Sequence, residues 1–484
     1  MIPAKRVKKS AKGKPQSIWS LLGTVVRLST PAVVENLIVS AVLLTDALML
    51  AQLPENSLYL AAISVSSVIY WRLVNLVGCT QIGSSAYISR RWGEERYADA
   101  GFALGHSLVV STLLGIVAAI AMWPVLPYLI GVLSNWDENV VSVGVSYLGI
   151  LLIALPVRLI LLTLSGGMRA AGDTRTPLII MIALVLSNIG ITYVLVFGKL
   201  GIPPLGVIGA AMGTAISYSI AAILGIWLFK KGLRPKLLLK PARQNENPYY
   251  SLTNDPLLRL NLSGIRPWFK EITPSIFRVS TSALGEEILV TIGFLTYIGM
   301  IGYFGREALA AHSATIRVEA LSYTAGWGIA LATSAMVGQA LGAKKVHLAQ
   351  KLFALNSGVA ATIMGIMGIF FILYAEWLLS FFQLEPEVLK IGVGLMLILG
   401  VEQVFMGAGM TLSGGLRGAG DTFPPFITQI IGVIGMRLGM GYILAWPLGM
   451  GIYGLYWATL LDWLMRCLIY LYFIRRGGWK TISV

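Results

Sequence analysis

Few residues of this chain could do chemistry, and most of them lie inside long apolar runs, where a charge is costly. Asp46 stands fifteen positions after Pro31, about 22 Å along a helix and well inside the first run. Asn188 and Thr192 lie one helical turn apart in the fifth. The second half supplies Glu286 and Glu287 in the seventh run, His312 and Glu319 in the eighth, and Glu402 in the tenth. Arg158, Arg278, Arg317 and Arg437 are embedded in similar runs and could each pair across helices with Asp46, Glu287, Glu319 or Glu402. A carboxylate in low dielectric is readily neutralised, so it can take up a proton or cation on one side of a membrane and release it when its cavity hydrates. One held by a guanidinium stays charged and carries protons poorly. Glu286 and Glu287 are adjacent, roughly 100° apart on a helix, so they must point differently. His312 reads as a packing or hydrogen-bonding residue near the outer membrane face, ahead of a proton role.

Other chemistries are not written in the chain. It contains no Walker loop, dinucleotide fingerprint or zinc signature, which argues against ATP-driven export and against enzymatic work. Cys79 and Cys467 lie in separate runs and make no metal motif, so they read as packing residues and no metal site is expected. The only cofactor-like species implied is a transported H+ or Na+. One elementary charge crossing 100 mV is worth about 2.3 kcal/mol, roughly a fiftyfold concentration ratio. Seventeen Met, thirteen Trp and sixteen Phe could line a broad adaptable cavity, although most aromatics belong to interface belts. Tyr70, Trp71 and Tyr297 are the better cavity candidates.

The elements that position these residues are membrane helices. Hydrophobic residues make up 56% of the chain and charged residues only 12%, and the apolar runs repeatedly reach the roughly twenty residues that span hydrocarbon. Lipid offers no partner to exposed backbone groups, so spans must be helices or a closed barrel, and runs without period-two alternation exclude the barrel. Spans are expected near 24–50, 59–85, 100–122, 141–164, 177–198 and 207–229, then 273–300, 308–336, 351–377, 388–412, 425–446 and 452–474. The fold class is thus all-α and polytopic, with twelve transmembrane helices. A basic tail (1–20) precedes a six-helix lobe (21–229), a basic linker (230–272) and a second six-helix lobe (273–484). The polar basic start and the long run behind it do not read as a signal peptide.

Charge orients the chain. Lys5, Arg6, Lys8, Lys9, Lys12 and Lys14 precede the first span, and Arg90, Arg91, Arg96, Arg169, Arg175, Lys344, Lys345, Arg417, Arg475 and Arg476 fall in alternate loops or the C-terminal tail. The intervening loops hold Glu55, Asp137, Glu138, Glu385 and Glu387, so the basic loops and both termini are expected in the cytoplasm. The formal net charge of +15 follows from this topology and from contact with anionic headgroups, not from nucleic acid.

The halves repeat. LSGGMRAAGDTRTP (Leu164–Pro177) recurs as LSGGLRGAGDTFPP (Leu412–Pro425), identical at ten of fourteen positions. Thr30-Pro31 corresponds to Thr273-Pro274, Leu60-Ala61-Ala62 to Leu309-Ala310-Ala311, and SSAYISRRWG (Ser84–Gly93) to TSAMVGQALG (Thr333–Gly342). Six spans per repeat gives both halves one orientation and a pseudo-twofold axis along the membrane normal. Two lobes facing a central cleft favour a carrier over an enzyme. In the repeated loop, glycines permit tight turns, Asp173 and Asp421 can accept from the N–H groups of the next helix, and Pro177 and Pro425 suit its first turn. Arg169 and Arg417 are placed to pair with those aspartates or with phosphate headgroups. The loop reads as a cytoplasmic structural hinge ahead of a substrate site.

PAVVENLIVSAVLLTDALML (Pro31–Leu50), the loop pair, EALAAHSATIRVEAL (Glu307–Leu321) and GIALATSAMVGQALGA (Gly328–Ala343) together resemble the multidrug and toxic compound extrusion family, MATE. The resemblance covers all but the N-terminal tail and the middle of the linker. It implies a twelve-helix antiporter, functional as a monomer, that expels organic, often cationic, compounds in exchange for H+ or Na+. Asp46 matches the family's first-helix aspartate, associated with cation coupling and substrate release in the archaeal and DNA-damage-inducible-like branches. Asn188 matches a polar position beside a second acid in those branches, but Thr192 stands where that acid is expected. Either the site works with one carboxylate supported by Asn188 and Thr192, or coupling lies elsewhere. Other branches keep acids on the seventh and tenth spans at places aligning nearer Ser282 and Met406, so Glu287 and Glu402 are candidates out of register. The runner-up is a flippase for a lipid-linked saccharide or other polar lipid, which would need a cationic cleft. A channel is disfavoured, since no ring of filter residues repeats.

Overall fold

The computed structural model describes residues 18–54, 56–231 and 265–482. The N-terminal lobe comprises α1 (Ile18–Leu50), α2 (Asn56–Gly78), α3 (Thr80–Gly93), α4 (Tyr97–Met122), α5 (Leu126–Leu133), α6 (Glu138–Ala170), α7 (Arg175–Phe197) and α8 (Gly206–Lys231). Its counterpart comprises α9 (Ile265–Gly302), α10 (Arg306–Gly342), α11 (Val346–Leu373), α12 (Ala375–Ser380), α13 (Pro386–Gly418), α14 (Phe423–Ile430), α15 (Gly441–Ala445) and α16 (Gly451–Arg476). A bend at Cys79 joins α2 and α3 into one span, and a π-helical stretch, Ile431–Met440, joins α14 to α15. Eleven spans among the described residues are long and apolar enough to cross a membrane. The remaining long helix, α10, has 37 residues; its Arg306, Glu307, His312, Arg317 and Glu319 lower its hydropathy. Twelve spans in two lobes is the all-α polytopic architecture expected. Large apolar side chains such as Leu186, Ile223 and Ile366 face outward, which suits hydrocarbon rather than water.

The helix boundaries depart from expectation in the middle of the chain. α8 continues to Lys231 and α9 starts at Ile265, so helix occupies part of the stretch read as linker, and 232–264 lies outside the described residues. The first fifteen residues, with their six cations, also lie outside it.

α1 belongs to both lobes. Before Pro31, Val25 and Leu28 join a core with Ala332, Val337 and Leu416 of the C-terminal lobe. After it, Val42 and Leu50 join the core of the N-terminal lobe. Proline has no N–H to donate to the preceding turn, so the change of allegiance falls where the helix is weakest.

The lobes meet most closely at the end that carries the basic loops. A Cβ at Gly93 would strike the carbonyl of Gln339, and one at Gly342 would strike the carbonyl of Arg90. Gly93 corresponds to Gly342 in the repeat, and Arg90 to Gln339, so α3 and α10 cross in a reciprocal, pseudo-twofold contact. Gly338 admits Ser89 in the same crossing. The Gln339 Nε2 donates to the Ala170 carbonyl at 2.7 Å, and Arg90 donates to the Ile482 carbonyl at 3.2 Å.

Candidate functional site

The N-terminal lobe gathers Asp46, Asn188 and Thr192 with one residue that sequence reasoning missed, Thr214. Asp46 is 1% exposed. Its Oδ2 accepts from the Thr214 hydroxyl at 2.8 Å. The Asn188 Nδ2 donates to the Thr214 Oγ1 at 3.0 Å and to the Thr192 Oγ1 at 3.2 Å. The chain of bonds therefore runs α1–α8–α7, and Thr192 orients Asn188 rather than standing in for a second acid. Gly213 makes this possible, since a Cβ there would collide with Thr192 and push α8 off α7. The Oδ1 of Asp46 and the Oδ1 of Asn188 are buried with no hydrogen-bond partner. Among the described residues no guanidinium or ammonium lies within ion-pair distance of Asp46. The arrangement can hold a proton or a small cation on the free oxygen.

Beside this network lies a partly open cavity. Val42 of α1, Ser67, Tyr70, Trp71 and Val74 of α2, Arg158 of α6, Met181 and Leu184 of α7 and Tyr218 of α8 line it. Two of the three aromatic cavity candidates, Tyr70 and Trp71, are thus in its wall. Tyr297 is not; it packs 6.0 Å from the His312 ring, under Arg437. His312 bonds through Nδ1 to the Tyr456 hydroxyl at 2.7 Å, a hydrogen-bonding role within the half of the C-terminal lobe away from the basic loops.

The acids of the C-terminal lobe fall into two groups and do not converge. Glu286 ion-pairs with Arg417, whereas adjacent Glu287 is half-buried and feels the charges of both Arg72 and Arg417 without an ion pair to either. Glu402 is buried elsewhere, accepting from the Thr459 hydroxyl at 2.7 Å, with Glu319 as its neighbour. Arg437 pairs at 3.1 Å with Asp462, an acid outside the expected set, and Arg466 also holds Asp462 while donating to Gln429. Asp462 and Arg466 were legible as charges one turn apart in the last span. Their pairing across to the π-helical stretch was not. Arg317 and Arg278 are exposed.

The repeated loop corrects one expectation. Arg169 does not pair with Asp173; it turns inward to Glu35 of α1 at 2.6 Å. Arg417 likewise turns to Glu286 of α9. The aspartate is already engaged, since Asp173 Oδ1 accepts from the backbone N–H groups of Arg175 and Thr176, both at 3.0 Å. Gly172 and Gly420 take φ of 92° and 82°, left-handed values that close the turn. Burial pushes the Asp421 carboxyl up from its ordinary range, against the pull of the Phe423 N–H. Each loop therefore ties the fourth span of its lobe to the first by a buried ion pair. Glu35, one turn after Pro31, was the missed signal.

Comparison with known proteins gives the following. The MatE family model matches residues 31–194 and 283–443, one copy per lobe. The probable multidrug resistance protein NorM of Thermotoga maritima is 26% identical over 463 residues, covering 95% of this chain and 93% of its own length. The uncharacterized transporter YisQ of Bacillus subtilis is 23% identical over 434 residues, covering 88% of each. Among solved structures, an outward-facing multidrug resistance MATE family transporter of the MOP superfamily superposes with a TM-score of 0.82 at 20% identity, over 98% of this chain and 100% of that one. A MOP superfamily transporter from Pyrococcus furiosus, described as having a binding pocket of reverse polarity that suggests a different function, gives the same TM-score, identity and coverage.

Proposed function

The chain belongs to the MATE family, and from that premise we propose that it is a secondary antiporter that exports organic compounds by alternating access in exchange for inward H+ or Na+. It is a multi-pass membrane carrier that moves small molecules, not an enzyme. The observation that carries the proposal is Asp46, a buried carboxylate with one oxygen on Thr214 and the other without a partner.

Coupling runs through α1. Neutralising Asp46 with a proton or a cation weakens its hold on the Thr214 hydroxyl and frees the half of α1 beyond Pro31. Val42, one turn before Asp46, then moves against the cavity it lines and displaces what is bound. Asn188 and Thr192 keep Thr214 in position. Glu287 and Glu402 take supporting roles: each is unpaired with a guanidinium among the described residues, but they stand apart from one another and from the cavity. The basic end faces the cytoplasm with both termini, so this conformation is closed to the cytoplasm. The expectation of a cationic substrate draws no support from the cavity wall, whose one charged residue is Arg158. The chain works as a monomer, since each chain contains both lobes.

The test is dye efflux from proteoliposomes with proton and sodium gradients imposed separately, comparing wild type with Asp46→Asn. Export driven by one gradient and abolished in the variant is the expected result. Export that survives the substitution would move coupling to the Glu287 and Glu402 side.

A further inference from the structure

We propose that the cavity of the N-terminal lobe is a site for organic anions, with Arg158 holding the acidic group and Tyr70, Trp71 and Tyr218 enclosing the apolar body. The proposal rests on the antiporter reading for the direction of transport and names the substrate class of that same lobe.

Arg158 follows Pro156 in α6 and is 7% exposed. Among the described residues it has neither a carboxylate within ion-pair distance nor a hydrogen-bond acceptor. Its one close partner is the face of Tyr218, 5.2 Å to the ring centroid. Stacking orients a guanidinium but leaves its charge without a counter-ion and its donors without a protein acceptor. A buried cation without a counter-ion is strongly unfavourable in low dielectric, and here it stands in the wall of an open cavity that an anion can enter. The Tyr70 hydroxyl in the same wall is also buried without a partner, and it supplies a second donor. Asp46 forms no ion pair with Arg158 among the described residues and does not line the cavity. Glu287, Glu319 and Glu402 belong to the opposite lobe and do not line it either.

The charge of the substrate decides the energetics. A cationic substrate that reached Asp46 would compete with the coupling ion for it. An anion cannot, so its export is linked to cation entry only through the movement of α1. One anion leaving for one cation entering carries two charges inward, and 100 mV then supports a roughly 2,500-fold gradient. Exchange of a monovalent cation for a cation is electroneutral.

Three size-matched probes separate the readings in proteoliposomes: naphthalene sulfonate, its neutral sulfonamide, and naphthyl trimethylammonium. Sulfonate flux against an imposed proton or sodium gradient, accelerated by membrane potential, is expected for wild type. Arg158→Gln should lower it at least tenfold and Arg158→Lys should restore part. Because Arg158→Gln could disturb α6, the charge preference of the wild type, followed also by quenching of Trp71 in detergent, tests the proposal without any variant. Sulfonate carried with the cation gradient would uphold the anion site and overturn the antiporter reading. Transport of the ammonium probe alone, unchanged in Arg158→Gln, would overturn the anion site and leave the antiporter intact. Absence of flux for all three probes would overturn both. A short-chain phosphatidic acid added as competitor identifies the source of the anion: inhibition lost in Arg158→Gln assigns a lipid headgroup, and undiminished sulfonate flux assigns a soluble anion.

Discussion

Asp46 accepts its one close hydrogen bond from Thr214, with Asn188 and Tyr147 also acting on the carboxylate, and that makes Thr214 the sharpest test at the scale of single residues. A hydrogen bond to a charged group contributes about 1.5–3 kcal/mol, so Thr214→Val should slow gradient-driven exchange about tenfold or more while leaving the fold and family topology intact. Thr214→Ser, which keeps the donor, should recover most of the rate. A Val variant that exchanges at the wild-type rate would show that the network does not control the carboxylate. Asn188 and Thr192 were visible from sequence as polar residues one turn apart in an apolar run. Thr214 was not, because a lone threonine in a helix normally bonds its own backbone and only the packing of α8 against α7 turns it toward α1.

At the scale of elements, the crossing of α3 and α10 depends on two glycines in equivalent places. Gly93→Leu or Gly342→Leu would force each helix away from the opposing carbonyl, a cost of about 1–3 kcal/mol for overpacking borne only by the conformation closed at the basic end. The expected outcome is greater reactivity of a cysteine placed at Ser89 toward a thiol reagent added from that end, with both lobes still folded. Gly358→Ala is the control, since its Cβ meets nothing within 4 Å and should leave labelling unchanged. Equal labelling in all three would remove the crossing as a gate. The ion pairs Arg169–Glu35 and Arg417–Glu286 act on a different element, tying the first span of each lobe to its fourth. They are not symmetric in depth: Glu35 lies four residues after Pro31 and Glu286 twelve after Pro274. The two first spans are therefore anchored at different heights, which leaves the Asp46 half of α1 without a salt bridge of its own.

For the whole molecule, α1 and the C-terminal tail both bridge the lobes at the basic end. Trp479 is fully buried and its ring lies 5.0 Å from Phe353, while the Ile482 carbonyl reaches back to Arg90. The proposed rocking of the lobes would bend the first of these links and release the second. Orientation is directly testable. In sealed cells, a cysteine at Asn135 should react with an impermeant reagent added outside, and one at Lys345 only after the membrane is opened. The reverse pattern would invert the topology and with it the direction of transport.

The chain by itself determined its class, its spans, its twofold repeat and its family. Those properties follow from local quantities, namely the length of apolar runs, the placement of cations in alternate loops and the recurrence of one fourteen-residue loop. It also marked the expensive residues, Asp46, Asn188, Glu287 and Glu402, because burying polarity in lipid requires a reason wherever it occurs. Tertiary structure alone decided their partners. Which carboxylate meets which guanidinium depends on helix rotation and depth, and these are set by packing between segments more than a hundred residues apart: Arg169 with Glu35, Arg417 with Glu286, Arg437 with Asp462. For the same reason only the folded chain reveals that Arg158 has no carboxylate beside it and that its charge faces a cavity.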